Sequence, residues 1–190
     1  QHLLEGIPAD LAGHVEDLSV LLELSQGLAA VQGEEALLQR TLEGLLARAG
    51  AAFGCAVLCD EQERVRLVLG RPANRVKDVA ALGRLAFLRE AMGWGNPRLF
   101  ESKDFKSGLG RWLKRNGAAN FIVLPLQAVG TARGLLLLGG ASFNKDRLGL
   151  WMGFANQAAM ALEAAALYRR ASRDTLTGLF SRHFVEVTLE

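Results

Sequence analysis

The chain has 190 residues, half of them apolar, and its 22 Lys and Arg against 20 Asp and Glu leave a net charge of +2. This length and apolar content suffice for one packed domain of about 150 residues with connecting helices. No apolar run reaches the roughly 18 to 20 residues of a membrane span. The basic residues are neither gathered in one helix nor interleaved with stacking aromatics, so we expect neither membrane contact nor nucleic-acid binding.

The charge is unevenly distributed along the chain. Residues 1–63 contain 11 acidic residues against two Arg, whereas residues 64–190 contain 20 basic residues against nine acidic ones. Halves of opposite charge can attract each other within or between subunits. The chain begins with Gln1 and has no signal-peptide pattern, so we interpret it as an internal piece of a longer cytoplasmic protein. That longer protein could still contain membrane segments upstream of Gln1.

Two helices are predicted first. Apolar residues recur at spacings of three and four from position 11 and predict a long helix over residues 11–31. Gly33 interrupts the pattern, and a single apolar stripe then predicts a second helix that Gly50 ends. The seam of the first helix consists of Leu11, Val15, Leu18 and Leu22.

A hairpin follows, with strands over residues 53–59 and 64–70 joined by a polar turn. Alternation in its second strand indicates one covered face. Cys55 and Cys59 would then lie on the same face of the first strand, roughly 13 Å apart at ~3.3 Å per residue. They are too far apart for a disulfide, so free thiols in a reducing compartment are expected.

The middle of the chain is less regular. Asp78 is predicted to cap a helix that runs to about Met92, followed by a short strand and loop over 98–106 and a helix over 108–116. Two central strands are predicted over 120–127 and 132–138. A long helix over 145–172 then carries a second seam, which consists of Trp151, Ala155, Ala158, Leu162 and Ala165.

This order of elements resembles the GAF domain, and three motifs support the resemblance. They are the Leu-Pro-Leu at 124–126, the GLLLLG at 134–139 and the FANQAAMALE at 154–163. The resemblance covers residues 19–168. It implies an α+β fold with a central antiparallel sheet of five to six strands, N- and C-terminal helices packed on one face, and a ligand-pocket region on the other.

The pocket region of the resemblance falls on the irregular middle. Aromatic walls with a few cations suit a small anionic or ring-containing ligand, although the same side chains could serve only core packing and solvation. The candidate ligand-binding residues are Cys55, Trp94, Arg98, Phe100, Lys103, Phe105, Arg111 and Trp112. No cyclic-nucleotide pattern, internal haem-ligating His or bilin-attaching Cys accompanies them, so the ligand is unassigned and no metal site is expected.

The last seventeen residues resemble the start of the GGDEF family of diguanylate cyclases, which opens D-x-L-T-G-L-x-N-R. Ser181 stands where Asn is usual and, like Asn, can cap a helix. The matching residues are Asp174, Leu176, Thr177, Gly178, Leu179 and Arg182.

The two resemblances together divide the chain into a helical lead-in (1–18), a GAF domain (19–168), a signalling-helix linker (169–173) and the start of a GGDEF domain (174–190). They imply a regulatory region of a diguanylate cyclase, whose parent protein would make cyclic di-GMP from two GTP with Mg²⁺. This chain contains no G-G-[DE]-E-F sequence, so we expect it to need no cofactor and to have no turnover.

Two alternatives stay open at this point. The seams of the terminal helices fit a homodimer, but both could instead be buried within one subunit. The chain could also be a ligand-free dimerisation or linker module upstream of a degenerate GGDEF domain.

Overall fold

The computed structural model describes residues 33–172 apart from 85, 107, 129 and 130, together with Ser19 and Leu22, which are both helical. The predicted seam residues Leu11, Val15 and Leu18, and the GGDEF-like stretch 174–190, lie outside the described residues.

The first helix of the described core, α1, spans Glu34–Ala49. Gly33 precedes it, and the helix ends as the sequence predicts at Gly50, whose φ of 64° places it in the left-handed region that favours glycine after a helix. Its apolar stripe is buried, because Leu38, Leu42 and Leu45 are all inaccessible to solvent. The stripe packs on one face of the sheet.

The sheet has five strands, and every pairing between neighbours is antiparallel. In sheet order they run β2, β1, β5, β4, β3, so β5 is central and β2 and β3 are the edges. Their bounds are β1 Phe53–Cys59, β2 Val65–Arg71, β3 Arg98–Glu101, β4 Asn120–Ala128 and β5 Thr131–Gly140. The predicted α+β fold class is therefore confirmed, with five strands.

The hairpin differs from the prediction in its first strand. Every residue of β1 is buried, because α1 and the last helix cover one face while the irregular middle covers the other. The prediction of one covered face was therefore wrong for β1. The expected free thiols are observed, since Cys55 and Cys59 are not paired with each other and are both buried on the same face of the sheet.

The middle region forms three short helices, α2 Val79–Leu82, α3 Phe87–Met92 and α4 Gly108–Arg115. The single predicted helix over 78–92 was wrong, because the chain turns at Gly83 between α2 and α3. A Cβ at Gly83 would lie 2.8 Å from Val68 Cγ2, so the absence of a side chain lets this turn pack on β2.

Asp78 is not the side-chain cap that the sequence predicts. Its backbone is left-handed with φ of 52°, and its carboxylate caps nothing. Instead its carbonyl oxygen accepts a hydrogen bond of 2.9 Å from Trp112 Nε1. Nearby, the Asn116 side chain accepts a bond from the Lys77 N–H and donates one to the Lys77 carbonyl, at 2.7 and 3.3 Å. These bonds attach the loop before α2 to α4.

The last helix, α5, spans Leu148–Ser172 and follows a short 3-10 turn over Lys145–Arg147. Trp151, Phe154, Ala155 and Ala158 are buried with α1 against the same face of the sheet. The core is thus two layers of side chains on either side of one sheet. None of the helices in the described part of the chain is long and apolar enough to cross a membrane.

Candidate functional site

The second face of the sheet carries a cluster of five aromatic rings from α3, the segments around β3, and β4. Neighbouring rings in this aromatic cluster lie 5.2 to 6.4 Å apart between centroids, mostly edge to face. Its members are Phe87, Trp94, Phe100, Phe105 and Phe121. Each of these rings therefore packs against other rings of the same cluster.

Four of the eight predicted ligand-binding residues belong to this cluster or lie on it. Trp94, Phe100 and Phe105 are members, and the guanidinium of Arg98 stacks over the Trp94 ring at 4.3 Å. The fold therefore brings these four predicted residues together. They lie at the β3–β4 side of the sheet, away from the β1–β2 hairpin.

The other four candidates are scattered. Cys55 is fully buried in β1, and Trp112 is buried with its ring edge to face with Phe53 at 5.8 Å. Arg111 is exposed. Lys103 is exposed and its Nζ lies 2.5 Å from Glu101 Oε2, and the hydrogen bond that it donates to this carboxylate raises the pKa of the Lys103 ammonium.

A cleft of about 620 Å³ opens on the same face, between the end of the β1–β2 hairpin and the turn from α2 to α3. It has a mostly apolar floor and a charged rim. The floor residues are Cys59, Val65, Gly83, Ala86, Leu88 and Met92, and the rim residues are Glu63, Arg84, Arg89 and Glu90. A cleft of this volume is within the range of small-molecule sites.

The charges of the rim are only partly paired. Arg89 Nε lies 3.8 Å from Glu63 Oε2, and both side chains are well exposed. Arg84 and Glu90 are exposed and make no ion pair with another described residue. The rim can therefore offer both a guanidinium and a carboxylate to a ligand whose apolar part occupies the floor.

Cys59 is the nucleophilic group in the floor of the cleft. It is 5% exposed. Burial, followed by the nearby Asp60 and Glu63 carboxylates, raises the pKa of its thiol. Burial alone raises the pKa of Cys55. Both thiols are therefore protonated at neutral pH, which disfavours nucleophilic chemistry at either.

None of the eight predicted ligand-binding residues lines this cleft. Its residues come from β1, the following turn, β2 and the α2–α3 segment, and no local pattern unites them. One signal was available, because a glycine inside a helical pattern indicates a break or close packing, and Gly83 is such a glycine. Within the described residues, no group of three or more His, Cys, Asp and Glu could hold a metal ion.

The second candidate functional element, besides the cleft, is α5. Its predicted seam faces the interior of the subunit. Trp151, Ala155, Ala158 and Leu162 are buried on the sheet, and Ala165 is partly buried beside them. The large apolar side chains that α5 exposes, among the described residues, lie elsewhere on the helix. They are Met160, Leu167 and Tyr168, each more than half exposed. Leu22 in the other predicted seam is 61% exposed.

Polar side chains attach the later part of α5 to the rest of the domain. Arg133 on the central strand β5 forms an ion pair with Glu163, and both side chains are mostly buried. Arg169 near the end of α5 donates a hydrogen bond of 2.6 Å to Glu34 Oε1 at the start of α1. Arg66 of β2 approaches the other oxygen of Glu34, also at 2.6 Å.

The ionisation of Glu34 follows from this arrangement. Burial of the carboxyl raises its pKa, but the hydrogen bonds from Arg66 and Arg169, reinforced by their positive charges, outweigh burial and leave the pKa below its ordinary value. Glu34 is therefore a carboxylate at neutral pH.

Comparison with known proteins shows the fold. No protein-family model matches the chain, and no curated protein matches it. Among solved structures, the GAF domain of an Acinetobacter phosphoenolpyruvate-protein phosphotransferase superposes with a TM-score of 0.63 at 10% identity, covering 82% of this chain and 98% of that one.

Two further structures agree. The phycocyanobilin-bound GAF domain of a cyanobacterial phytochrome has a TM-score of 0.56 at 17% identity, covering 80% of this chain and 96% of that one. The GAF domain of the Escherichia coli potassium sensor histidine kinase KdpD has a TM-score of 0.54 at 16% identity, with the same coverage. The chain therefore has the GAF fold.

Proposed function

We propose that this chain is the regulatory GAF sensor and dimerisation region of a diguanylate cyclase. The observation that carries the proposal is the continuity of α5. This helix starts in the buried layer on the sheet and continues to Ser172, two residues before Asp174, where the GGDEF-like sequence begins. A change in how α5 packs would pass directly into that segment.

The sensing part of the proposal places a small molecule in the cleft between the hairpin and α2–α3. The floor is apolar and the rim carries two arginines and two glutamates, which suits a ligand with an apolar body and a charged end. The solved GAF domain with phycocyanobilin supports the general idea, because there the same fold holds a ligand.

A thermal-shift screen of nucleotides and tetrapyrroles tests ligand binding, on protein that is first unfolded and refolded to remove carried ligand. Ala86→Trp places an indole in the cleft that Ala86 lines and should abolish any shift. Ala80→Trp is the matched control, because Ala80 is exposed on the neighbouring helix and does not line the cleft. A shift that survives Ala86→Trp would place the ligand elsewhere.

The dimer part of the proposal uses the exposed apolar side of α5, on which Met160 and Leu167 lie seven residues apart. That spacing puts both on one side of a helix, and the proposed partner is the same surface of a second copy, together with the N-terminal segment that includes Leu22.

Light scattering after gel filtration at micromolar concentration tests this assembly. A dimer is expected for the unchanged chain and a monomer for Met160→Glu/Leu167→Glu, because two carboxylates would be buried at the interface. Ala52→Glu/Ala73→Glu introduces the same charge at exposed positions outside α5 and should remain dimeric. A monomeric unchanged chain would refute the dimer.

The output part of the proposal concerns the longer parent protein. There, GTP and Mg²⁺ would bind to the GGDEF domain, and two such domains must face each other to join two GTP molecules. The parent should form cyclic di-GMP, whereas the 190-residue chain should not. Cyclic di-GMP formed by the purified 190-residue chain would contradict this assignment.

One observation favours a second candidate, a ligand-free dimerisation or linker module before a degenerate GGDEF domain. The aromatic residues in the predicted pocket region pack on one another, so their structural role is already accounted for. Sequencing the parent gene beyond position 190 separates the two candidates. An intact G-G-[DE]-E-F supports the cyclase, and a scrambled motif supports the linker module.

A further inference from the structure

The first two residues of the edge strand β2 lie on opposite faces of the sheet. Val65 lines the cleft, and a Cβ added at Gly83 would lie 3.2 Å from its Cγ1. Arg66 instead reaches Glu34, at the start of α1, and α1 packs on the other face. Two consecutive residues thus connect the two sides of the sheet.

A β-bulge produces this arrangement. Leu58 pairs with Leu67 and Cys59 pairs with Val65, so Arg66 has no residue opposite it in β1. A bulge locally breaks the ladder and redirects a side chain. Because β2 is an edge strand that bonds only to β1, its end is held by fewer hydrogen bonds than an interior strand.

Glu34 extends the connection from the bulge to α5. Its two oxygens bind different arginines, Oε2 facing Arg66 and Oε1 facing Arg169, both at 2.6 Å. The Glu34 side chain is only 13% exposed, so water screens these contacts less than at an open surface. Near this point the apolar side chains of α5 are no longer buried, since Leu167 and Tyr168 are both exposed.

We propose that Arg66, Glu34 and Arg169 form a relay that couples occupancy of the cleft to how firmly the end of α5 is held. The inference rests on the proposed function, in which the cleft receives a ligand and α5 leads to the output segment. An occupant that displaces Val65 moves the bulged Arg66, which reorients the Glu34 carboxylate and weakens its bond to Arg169. The end of α5 then separates from α1 while its first turns remain on the sheet.

Hydrogen–deuterium exchange of the whole 190-residue chain, followed by mass spectrometry, tests the relay without any ligand. Glu34→Gln should speed exchange in residues 163–172 by about threefold to tenfold, the range for losing a partly screened charged hydrogen bond. Arg66→Gln should act in the same direction, although no ion pair or hydrogen bond joins Arg66 to α5 within the described residues. Exchange in residues 135–138 of β5 serves as the internal reference for global unfolding.

Gly83→Ala imitates an occupant of the cleft, because the added methyl group presses on Val68 and Val65. It should speed exchange in residues 163–172 in the unchanged chain but add nothing in the Glu34→Gln background. Gly93→Ala is the matched control, since its methyl group meets only ordinary van der Waals contact. Glu101→Gln controls for charge, because it removes an ion pair on the opposite edge strand.

Two results would overturn the relay. The first is that Glu34→Gln leaves exchange in residues 163–172 unchanged, and the second is that Gly83→Ala speeds this exchange equally in the unchanged chain and in the Glu34→Gln background. A failed ligand screen would count against the proposed function and leave these exchange results standing. Conversely, a failed relay would not affect ligand binding or cyclic di-GMP formation by the parent.

Discussion

Gly134 is a motif position at which the close approach of a neighbouring strand requires glycine. It opens the GLLLLG motif, and its φ is 155°. A Cβ there would lie 1.9 Å from the Val57 carbonyl oxygen and 3.1 Å from Leu58 Cα, which are backbone atoms of the neighbouring strand. Only a residue without a side chain lets β1 and β5 pair at this point.

Gly134→Ala should therefore lower the free energy of unfolding by at least about 2 kcal/mol, from backbone strain and the forced separation of two strands. Urea unfolding followed by circular dichroism measures the loss. Gly149→Ala is the control, because it adds a methyl group to open space in the first turn of α5. That control should be neutral or stabilising by up to about 1 kcal/mol, and equal losses for the two variants would contradict this explanation.

The two cysteines differ in a way that alkylation can detect. Burial raises the pKa of both thiols, so the reactive thiolate is scarce at pH 8 and becomes more abundant as the pH rises. Iodoacetamide should label the native chain slowly, faster at pH 9.5 than at pH 8, and first at Cys59, which lines the cleft. Cys59→Ser should remove the first phase, and labelling of Cys55 before Cys59 would contradict the assignment of the cleft floor.

At the scale of elements, strands were predicted better than the helices of the middle region. The predicted bounds of β1 are those observed, and the bounds of β2 differ by one residue, because alternation and turn residues are local signals. The helix predicted over 78–92 divides at Gly83, since that turn is fixed by contact with Val68 from a distant strand. Asp78 likewise takes its conformation next to Trp112, 34 positions away.

The seam of α5 illustrates a limit of periodicity. Its spacing identified the buried residues Trp151, Ala155 and Ala158 without identifying what buries them, and in the structure the sheet and α1 do so. The surface offered to a partner is then set by the residues that remain exposed. Hydrophobicity alone does not separate the two sets, because Met160 and Leu162 are both apolar and only two positions apart.

Leu162→Ala and Met160→Ala should consequently have different effects. Leu162 is 4% exposed and Met160 is 60% exposed. Removal of the buried side chain should cost about 2 to 4 kcal/mol, whereas the exposed one should change the stability of the isolated fold by no more than about 0.5 kcal/mol. Urea unfolding at low protein concentration, where any association is minimal, compares them. Similar losses would indicate that α5 is rotated relative to the described packing.

At the scale of the whole molecule, the fold was more predictable than the site. Three motifs, one each in β4, β5 and α5, were enough to indicate the GAF fold, since each is contiguous in sequence. The cleft is assembled from segments that meet only after folding, for example Cys59 and Met92. The contact between Glu34 and Arg169, 135 positions apart, is equally invisible to local patterns.

The connection between the central strand and the exit helix provides a final test of how the molecule is held together. Arg133 and Glu163 are 19% and 22% exposed, so removing one partner leaves a mostly buried charge without its counterion. Arg133→Met or Glu163→Leu alone should each cost roughly 1 to 3 kcal/mol, less than for a fully buried pair. Arg133→Met/Glu163→Leu should cost less than the more harmful single change, because two apolar side chains can pack where two charges were desolvated. A double-mutant cycle by urea unfolding measures the coupling, and losses that simply add would show that the two side chains do not stabilise each other across β5 and α5.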